Sequence, residues 1–244
     1  MDTRFWGPDG WKLLHSIATF YPEKPSKIEK QLYKNFFNSI QYILPCIYCR
    51  MSLKEYYKIL NIEKYLDSGY NLSKWLYMIH NKVNNKLKKQ GLNDNPNPKF
   101  KNIYNFYINL VTEINNSNCT NMPGWNFLYT IVFNYPESSK DIEQIRYINY
   151  MIFFKLLPYV LPFKINLCKD TCNVNFSKIL MNRNSLKRWF YNLERNAKTK
   201  NKEKCLNYND RCNLIEQYRS GCGKKNDKKK TCRVKKIKVY PKYF

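Results

Sequence analysis

Glycine is scarce in this chain of 244 residues, with only 7 in all. That excludes collagen-like and flexible-linker compositions. No Gly-rich run resembles a Rossmann or P-loop phosphate cradle. Acidic residues are also few, 18 Asp and Glu against 43 Lys and Arg, for a formal net charge of +25. No apolar run approaches the ~18–20 residues that span a bilayer, so no membrane helix is expected. The opening MDTRFWGPDG lacks the apolar stretch of a secretory signal, so export by a signal peptide is not expected. The alternating patterns and turn dipeptides of β-hairpins are missing throughout. What is present in quantity is apolar and aromatic: 43% hydrophobic and 16% aromatic, enough for a packed core and too much for wholesale disorder. The length suits one large domain or two small ones. Nine cysteines in a chain with no export signal point to redox-active or metal-bound thiols more than to structural bridges.

About half of the positive charge lies at the end, where residues 198–244 hold 16 Lys or Arg and 4 Asp or Glu. Such a tail suits nucleic acid or an acidic partner. Against that, the whole chain favours Lys, Asn, Ile and Tyr, as chains from AT-rich genomes do, and this bland reading weighs somewhat more.

The first third reads as helices. Gly7-Pro8 opens one, with Trp11, Leu14, Ala18 and Tyr21 at helical spacing, and Pro22 and Pro25 end it. Ser26 and Glu29 form a capping-box pattern ahead of a stripe of Ile28, Leu32, Phe36, Ile40 and Ile43. Pro45 interrupts. Cys46-Ile47-Tyr48-Cys49 then stands at the start of a third helix to about Leu60. A fourth is expected from Leu72 to Lys89 on Trp75, Ile79, Val83 and Leu87, and a fifth from Lys99 to Ile114. The fold class is all-α, a helical bundle. The pattern then repeats. Gly10-Trp11-Lys12-Leu13-Leu14 matches Gly124-Trp125-Asn126-Phe127-Leu128, and Phe20-Tyr21-Pro22-Glu23 matches Asn134-Tyr135-Pro136-Glu137, both 114 residues on. Tyr42 to Pro45 matches Tyr159 to Pro162, and Leu72 to Tyr77 matches Leu186 to Tyr191. The chemistry does not repeat: His15 becomes Tyr129, Cys46 becomes Phe163, and His80-Asn81 becomes Glu194-Arg195. The organisation expected is a first bundle over 1–116, a degenerate second bundle over 117–200 without the reactive residues, and a basic cysteine-containing segment over 201–244.

Cys46-x-x-Cys49 is the sharpest local signal, because that spacing closes a small reducible disulfide and a helix N-terminus stabilises a thiolate. A lone CxxC is also half a zinc site, though no second pair follows at usable spacing, and two buried inert cysteines are the plain alternative. His80, Asn84 and Lys88 share one helix face beside Trp75, Ile79 and Val83. Stacking aromatics, amides for ring edges and a cation suit a large flat ligand with phosphates.

Taken together, Trp11-Lys12-Leu13-Leu14-His15, Tyr21-Pro22, Leu44-Pro45-Cys46-Ile47-Tyr48-Cys49, and Trp75 followed by His80-Asn81-Lys82-Val83-Asn84 with Leu87 resemble the Erv/ALR family of FAD-linked sulfhydryl oxidases, over about residues 5–110. The opening Trp6-Gly7-Pro8 is similar to members from large DNA viruses. The resemblance implies a helical bundle with FAD beside the CxxC. Trp11, His15, His80, Asn81, Val83, Asn84 and Leu87 would contact FAD, with Gly7, Lys86 and Lys89 as weaker candidates and Tyr104 in place of a later aromatic near the adenine. Cys49 would lie against the flavin and Cys46 would meet the incoming thiol. The implied reaction is oxidation of protein dithiols, with electrons passing to oxygen to give hydrogen peroxide. The family's further cysteine pair after the His-Asn motif is absent, since no cysteine lies between Cys49 and Cys119. Electron relay through a distal pair would fall to Cys168 and Cys172 or to Cys205, Cys212, Cys222 and Cys232; stapling of the tail is at least as good a reading, and an odd count leaves one thiol over. The family's paired bundles imply a homodimer or an intrachain pair of the two halves, with the homodimer favoured. The implied place is a cytoplasmic viral factory or a virion. A basic nucleic-acid-binding protein with structural cysteines is the competing reading.

Overall fold

Several helix starts are set by a short polar side chain. The computed structural model describes residues 2–92, 95–117, 122–165, 167, 171, 174–200 and 204–218. Helix α1, Thr3–Thr19, begins earlier than its sequence suggests, because the Asp2 carboxylate accepts the Arg4 N–H. Pro8 therefore sits inside the helix. Helix α2, Lys27–Ile43, starts on the full capping box: Glu29 N donates to Ser26 Oγ and Ser26 N donates to Glu29 Oε2. Ile28, expected in its apolar stripe, is 79% exposed, since the box turns the first helical turn to solvent. The buried face starts at Tyr33, Phe36 and Phe37. Helices α3, Ile47–Ile59, and α4, Gly69–Lys89, flank a 3-10 turn, Ile62–Tyr65. Helix α4 begins three residues before the expected Leu72, because Ser68 caps Asn71 N. Helix α5 is Phe100–Asn116.

The remaining described helices are α6, Trp125–Phe133, α7, Gln144–Val160, α8, Phe176–Ile179, α9, Arg183–Lys200, and α10, Tyr208–Glu216. Among the described residues there is no strand, only one isolated bridge between Ser138 and Asn182. Thus the chain is helical, as its patterning indicated.

Several contacts in the first half recur in the second. Tyr21 OH donates to Leu66 O at 3.0 Å, and Tyr135 OH to Leu180 O at 2.6 Å. Tyr77 OH donates to Pro98 O at 2.8 Å, and Tyr191 OH to Leu206 O at 3.1 Å. Phe37 meets Trp75 edge-on at 5.4 Å, and Phe154 meets Trp189 at 5.4 Å. The halves meet chiefly along two helix pairs. The most extensive is α2 against α7, where Phe36 stacks on Phe153 at 5.1 Å. The other is α1 against α6. A Cβ added to Gly10 would meet the Phe127 ring at 2.9 Å, and one added to Gly124 would meet Leu13 at 2.7 Å. These two glycines are what let the helices approach, and Gly124 also holds φ at +112°, which other residues rarely adopt. The half-buried Asp9 carboxylate completes this joint. It accepts N–H bonds from Gly124 and Asn126, each at 2.9 Å, and so caps α6 from α1.

Candidate functional site

Leu44 and Pro45 leave helix α2, and the chain re-enters a helix immediately, so Cys46 becomes the N-cap of α3. Its Sγ accepts the Cys49 N–H at 3.3 Å. Cys46 is 2% exposed, and Cys49 is half-buried. The hydrogen bond from the Cys49 thiol is the main cause that draws Cys46 down to about 7; burial opposes it, and the N–H groups of Cys49 and Tyr48 and the Lys86 charge assist. The same bond, with burial, pushes Cys49 well above the ordinary thiol range. In the reduced pair the charge therefore sits on Cys46 and the proton on Cys49. Lys86 is held in place from α4, its Nζ donating to Ser52 Oγ on α3 at 2.7 Å.

Helix α4, which brings Lys86 to the thiols, also carries His80, part of a cluster of rings from three helices. Trp11 of α1 stacks on His80 of α4 at 3.9 Å. His15 Nε2 lies 3.2 Å from His80 Nδ1. Tyr107 of α5 stacks on the other side of His15 at 4.9 Å. Burial holds His15 well below the ordinary imidazole range and brings His80 down to about 4, so both are neutral near pH 7. His15 Nδ1 is buried without a hydrogen-bond partner. An orphaned ring nitrogen beside a stack of flat side chains fits a polar edge of a planar ligand.

Helix α4 thus brings together His80, Asn81, Val83, Asn84, Lys86 and Leu87, all half-buried, and Lys89 is exposed at its end. Val83 and Leu87 were expected to continue the core stripe of Trp75 and Ile79; they are half-buried instead. Asn84 Nδ2 donates to Asn97 Oδ1 at 3.0 Å. A Cβ at Gly7 would meet nothing within 4 Å, so that side of α1 is open. Tyr104 packs with Tyr70 at 5.3 Å and Phe100 at 5.8 Å and is not among the rings on His15. Tyr107, which sequence reasoning did not single out, is the α5 ring on His15; it lies one turn beyond Tyr104 on the aromatic face of α5. Of the remaining cysteines, Cys205 and Cys212 are half-buried thiols that form no disulfide. Cys119, Cys168, Cys172, Cys222 and Cys232 lie outside the described residues, as does most of the basic segment.

At the matching place in the second half, the two histidines are replaced by Tyr129 and Glu194, whose side chains bond at 2.6 Å. Arg211 of α10 pairs with Glu194 and lies over the Tyr129 ring at 4.9 Å. Lys198 pairs with Glu194 at 2.8 Å. Glu194 is fully buried. The space is filled by the chain's own ion cluster.

Residues 8–105 match the model of the Erv1 / Alr family. The chain is 35% identical over 118 residues to the "Probable FAD-linked sulfhydryl oxidase R368" of Acanthamoeba polyphaga mimivirus, covering 44% of this chain and 82% of that relative. It is 36% identical over 88 residues to the "Mitochondrial FAD-linked sulfhydryl oxidase ERV1" of Saccharomyces cerevisiae, covering 36% of this chain and 46% of that relative. An "FAD-linked sulfhydryl oxidase" of African swine fever virus is 33% identical over 103 residues, or 41% of this chain and 79% of the relative. The matched segment carries the CxxC, both histidines and the α4 face, and on it the chain belongs to the Erv1 / Alr family.

Proposed function

We propose that this chain is an FAD-linked thiol oxidase, converting two thiols and oxygen into a disulfide and hydrogen peroxide. The observation that carries this reading is that one helix, α4, faces the Cys46–Cys49 pair with Lys86 and carries His80 of the neutral His15–His80–Trp11 stack, which has one orphaned ring nitrogen. The residues fit FAD. His15, His80 and Trp11 supply flat faces and a nitrogen in need of a partner, Asn81, Asn84, Val83 and Leu87 supply edge contacts, and Lys86 and Lys89 supply cations for the diphosphate. Gly7 leaves room at the α1 side. Tyr107 supports His15 from behind, and Tyr104 serves from the aromatic group of α5. When bound, FAD accepts an electron pair from the dithiol and delivers it to oxygen, which leaves as hydrogen peroxide.

The protein's own residues order the thiol steps. A substrate thiolate attacks Cys46 of the disulfide, forming a mixed disulfide and releasing Cys49 as the thiolate. The second substrate thiol attacks its partner sulfur, forming the product disulfide and releasing Cys46. The hydrogen bonds at the helix start make Cys46 a low-pKa leaving group, which speeds that release. The neutral histidines leave Lys86 and Arg50 as the cations facing the pair. Cys49→Ser tests this. The variant is expected to retain bound flavin and lose dithiol oxidation, and oxidation at the parent rate would overturn the assignment.

The second half we read as a copy of the bundle that serves as a partner within the chain. The recurring contacts, the reciprocal Gly10 and Gly124 approaches and the Phe36–Phe153 stack support this. They favour the intrachain pair over a homodimer through α2, because α7 already covers that helix. The Glu194 cluster fills the place where a second flavin would sit, so one FAD per chain is expected. Cys205 and Cys212 remain candidates for electron relay, with the cysteines of the outlying segments. The viral relatives support a viral protein, with a cytoplasmic factory or the virion as its place.

A further inference from the structure

Two guanidinium groups meet behind the redox pair, and one comes from the other half of the chain. Arg50 follows Cys49 on α3, and its Nη1 donates to Leu44 O at 2.7 Å. Arg146 stands in the first turn of α7, and its Nε donates to Tyr42 O at 3.0 Å. Both accepting carbonyls belong to the end of α2, the stretch that immediately precedes Pro45 and Cys46. Because α7 runs along α2, its beginning arrives beside the end of α2. Capping α2 needs one such donor, and two like charges side by side are costly. Burial and the nearby Arg146 lower the pKa of Arg50, whereas Cys46 and Cys49 raise it. Arg146 Nη2 is buried without a hydrogen-bond partner, a further cost. The groups that face the cysteines are Arg50 on α3 and Lys86 on α4, with Tyr56 also near Cys49. Tyr150 of α7 lies beside Arg50 and Arg146. No carboxylate appears in this set.

We propose that Arg146 is a positioning residue for the Cys46–Cys49 centre, by which the second half sets the turn that presents Cys46 and the helix-start N–H group that bonds its sulfur. This rests on the oxidase reading, in which Cys46 leaves as a thiolate when the mixed disulfide is resolved. It gives the second half a task in the reaction beyond covering α2. The catalytic groups remain the two cysteines; Arg146 acts through the carbonyl of Tyr42 and through Arg50.

The test reads the cysteine itself. The purified flavin-loaded protein is reduced without oxygen, and iodoacetamide labelling of the peptide holding Cys46 is followed by mass spectrometry across pH. Arg146→Met keeps much of the side chain's length and removes both the charge and the donor to Tyr42 O. Its labelling rate at pH 7 is expected to fall about three- to tenfold, with the midpoint moved to higher pH. Arg146→Lys restores the charge without the forked donor and is expected to recover part of the loss. A Met variant with the parent midpoint, at parent flavin content and melting temperature, would overturn the proposal. Should the Met variant not fold, a Lys variant with the parent midpoint and parent turnover of dithiothreitol would overturn it as well. Labelling does not depend on turnover. A protein that labels as expected yet never oxidises dithiols would remove the oxidase reading and leave the role of Arg146 in place.

Discussion

Glu194→Ala should be among the most damaging single substitutions in the second half. The side chain is fully buried and holds three partners at once: the Tyr129 hydroxyl at 2.6 Å, the Lys198 ammonium at 2.8 Å, and Arg211. Removing the carboxylate leaves a buried guanidinium without its counter-charge and a buried hydroxyl without its acceptor. Breaking a buried ion pair on one side costs about 3–5 kcal/mol, and the stranded hydroxyl adds about 1 kcal/mol. With a urea dependence of about 2–3 kcal/mol per molar, the unfolding midpoint should fall by roughly 1.3–3 M. Urea unfolding followed by circular dichroism reads this directly. Flavin content per folded chain should stay at the parent value, because the proposed FAD residues all lie in the other half. A midpoint shift below about 0.3 M would refute the reasoning, and so would loss of flavin from chains that are still folded.

Further outcomes follow from the same contacts. Gly124→Ala places a methyl against Leu13 at a φ of +112°, so about 1–3 kcal/mol of stability should be lost, readable as a lower melting temperature. Burial brings His80 down to about 4 in the folded flavin-free protein. The unfolded chain, with imidazole near 6.5, then binds the extra proton first. Stability is therefore full above pH 6.5 and is lost as pH falls from there towards 4, by about 2 kcal/mol at pH 5 from His80 alone, with His15 acting in the same direction. Urea midpoints across pH should show this slope, and the double variant His15→Asn/His80→Asn should flatten it. Tyr107→Ala removes the ring stacked on His15 and should weaken FAD retention several-fold on a desalting column, whereas Tyr104→Ala should do so less.

Sequence and structure agree most where local chemistry decides. The capping box at Ser26, the break at Pro45 and the helix start at Cys46 are all local, and they appear where the residues place them. The misses have physical causes. Asp2 and Ser68 start their helices earlier than the apolar periodicity does, because a cap needs only one side-chain oxygen and no stripe. Ile28 satisfies the helical spacing and still faces water, since spacing does not say where the partner helix begins to cover the face. The histidines and Trp11 were legible from their motifs, and the structure brings them together. Tyr107 was not, because a tyrosine on an aromatic helix carries no motif and its role depends on how α5 crosses α1. Arg146 and Arg211 act across more than a hundred and on the order of twenty residues respectively, on carbonyls and carboxylates that only the fold brings near. The internal repeat was visible in Gly10-Trp11 and Gly124-Trp125; that the two glycines open the joint between the halves was not.

The central claim is best tested by the absorption spectrum of the purified protein, followed by anaerobic titration with dithiothreitol. The account predicts oxidised-flavin bands at one FAD per chain that bleach on titration and return when oxygen is admitted, with hydrogen peroxide released. A colourless protein that stays without flavin when FAD is supplied, or bound flavin that the dithiol cannot bleach, would contradict it.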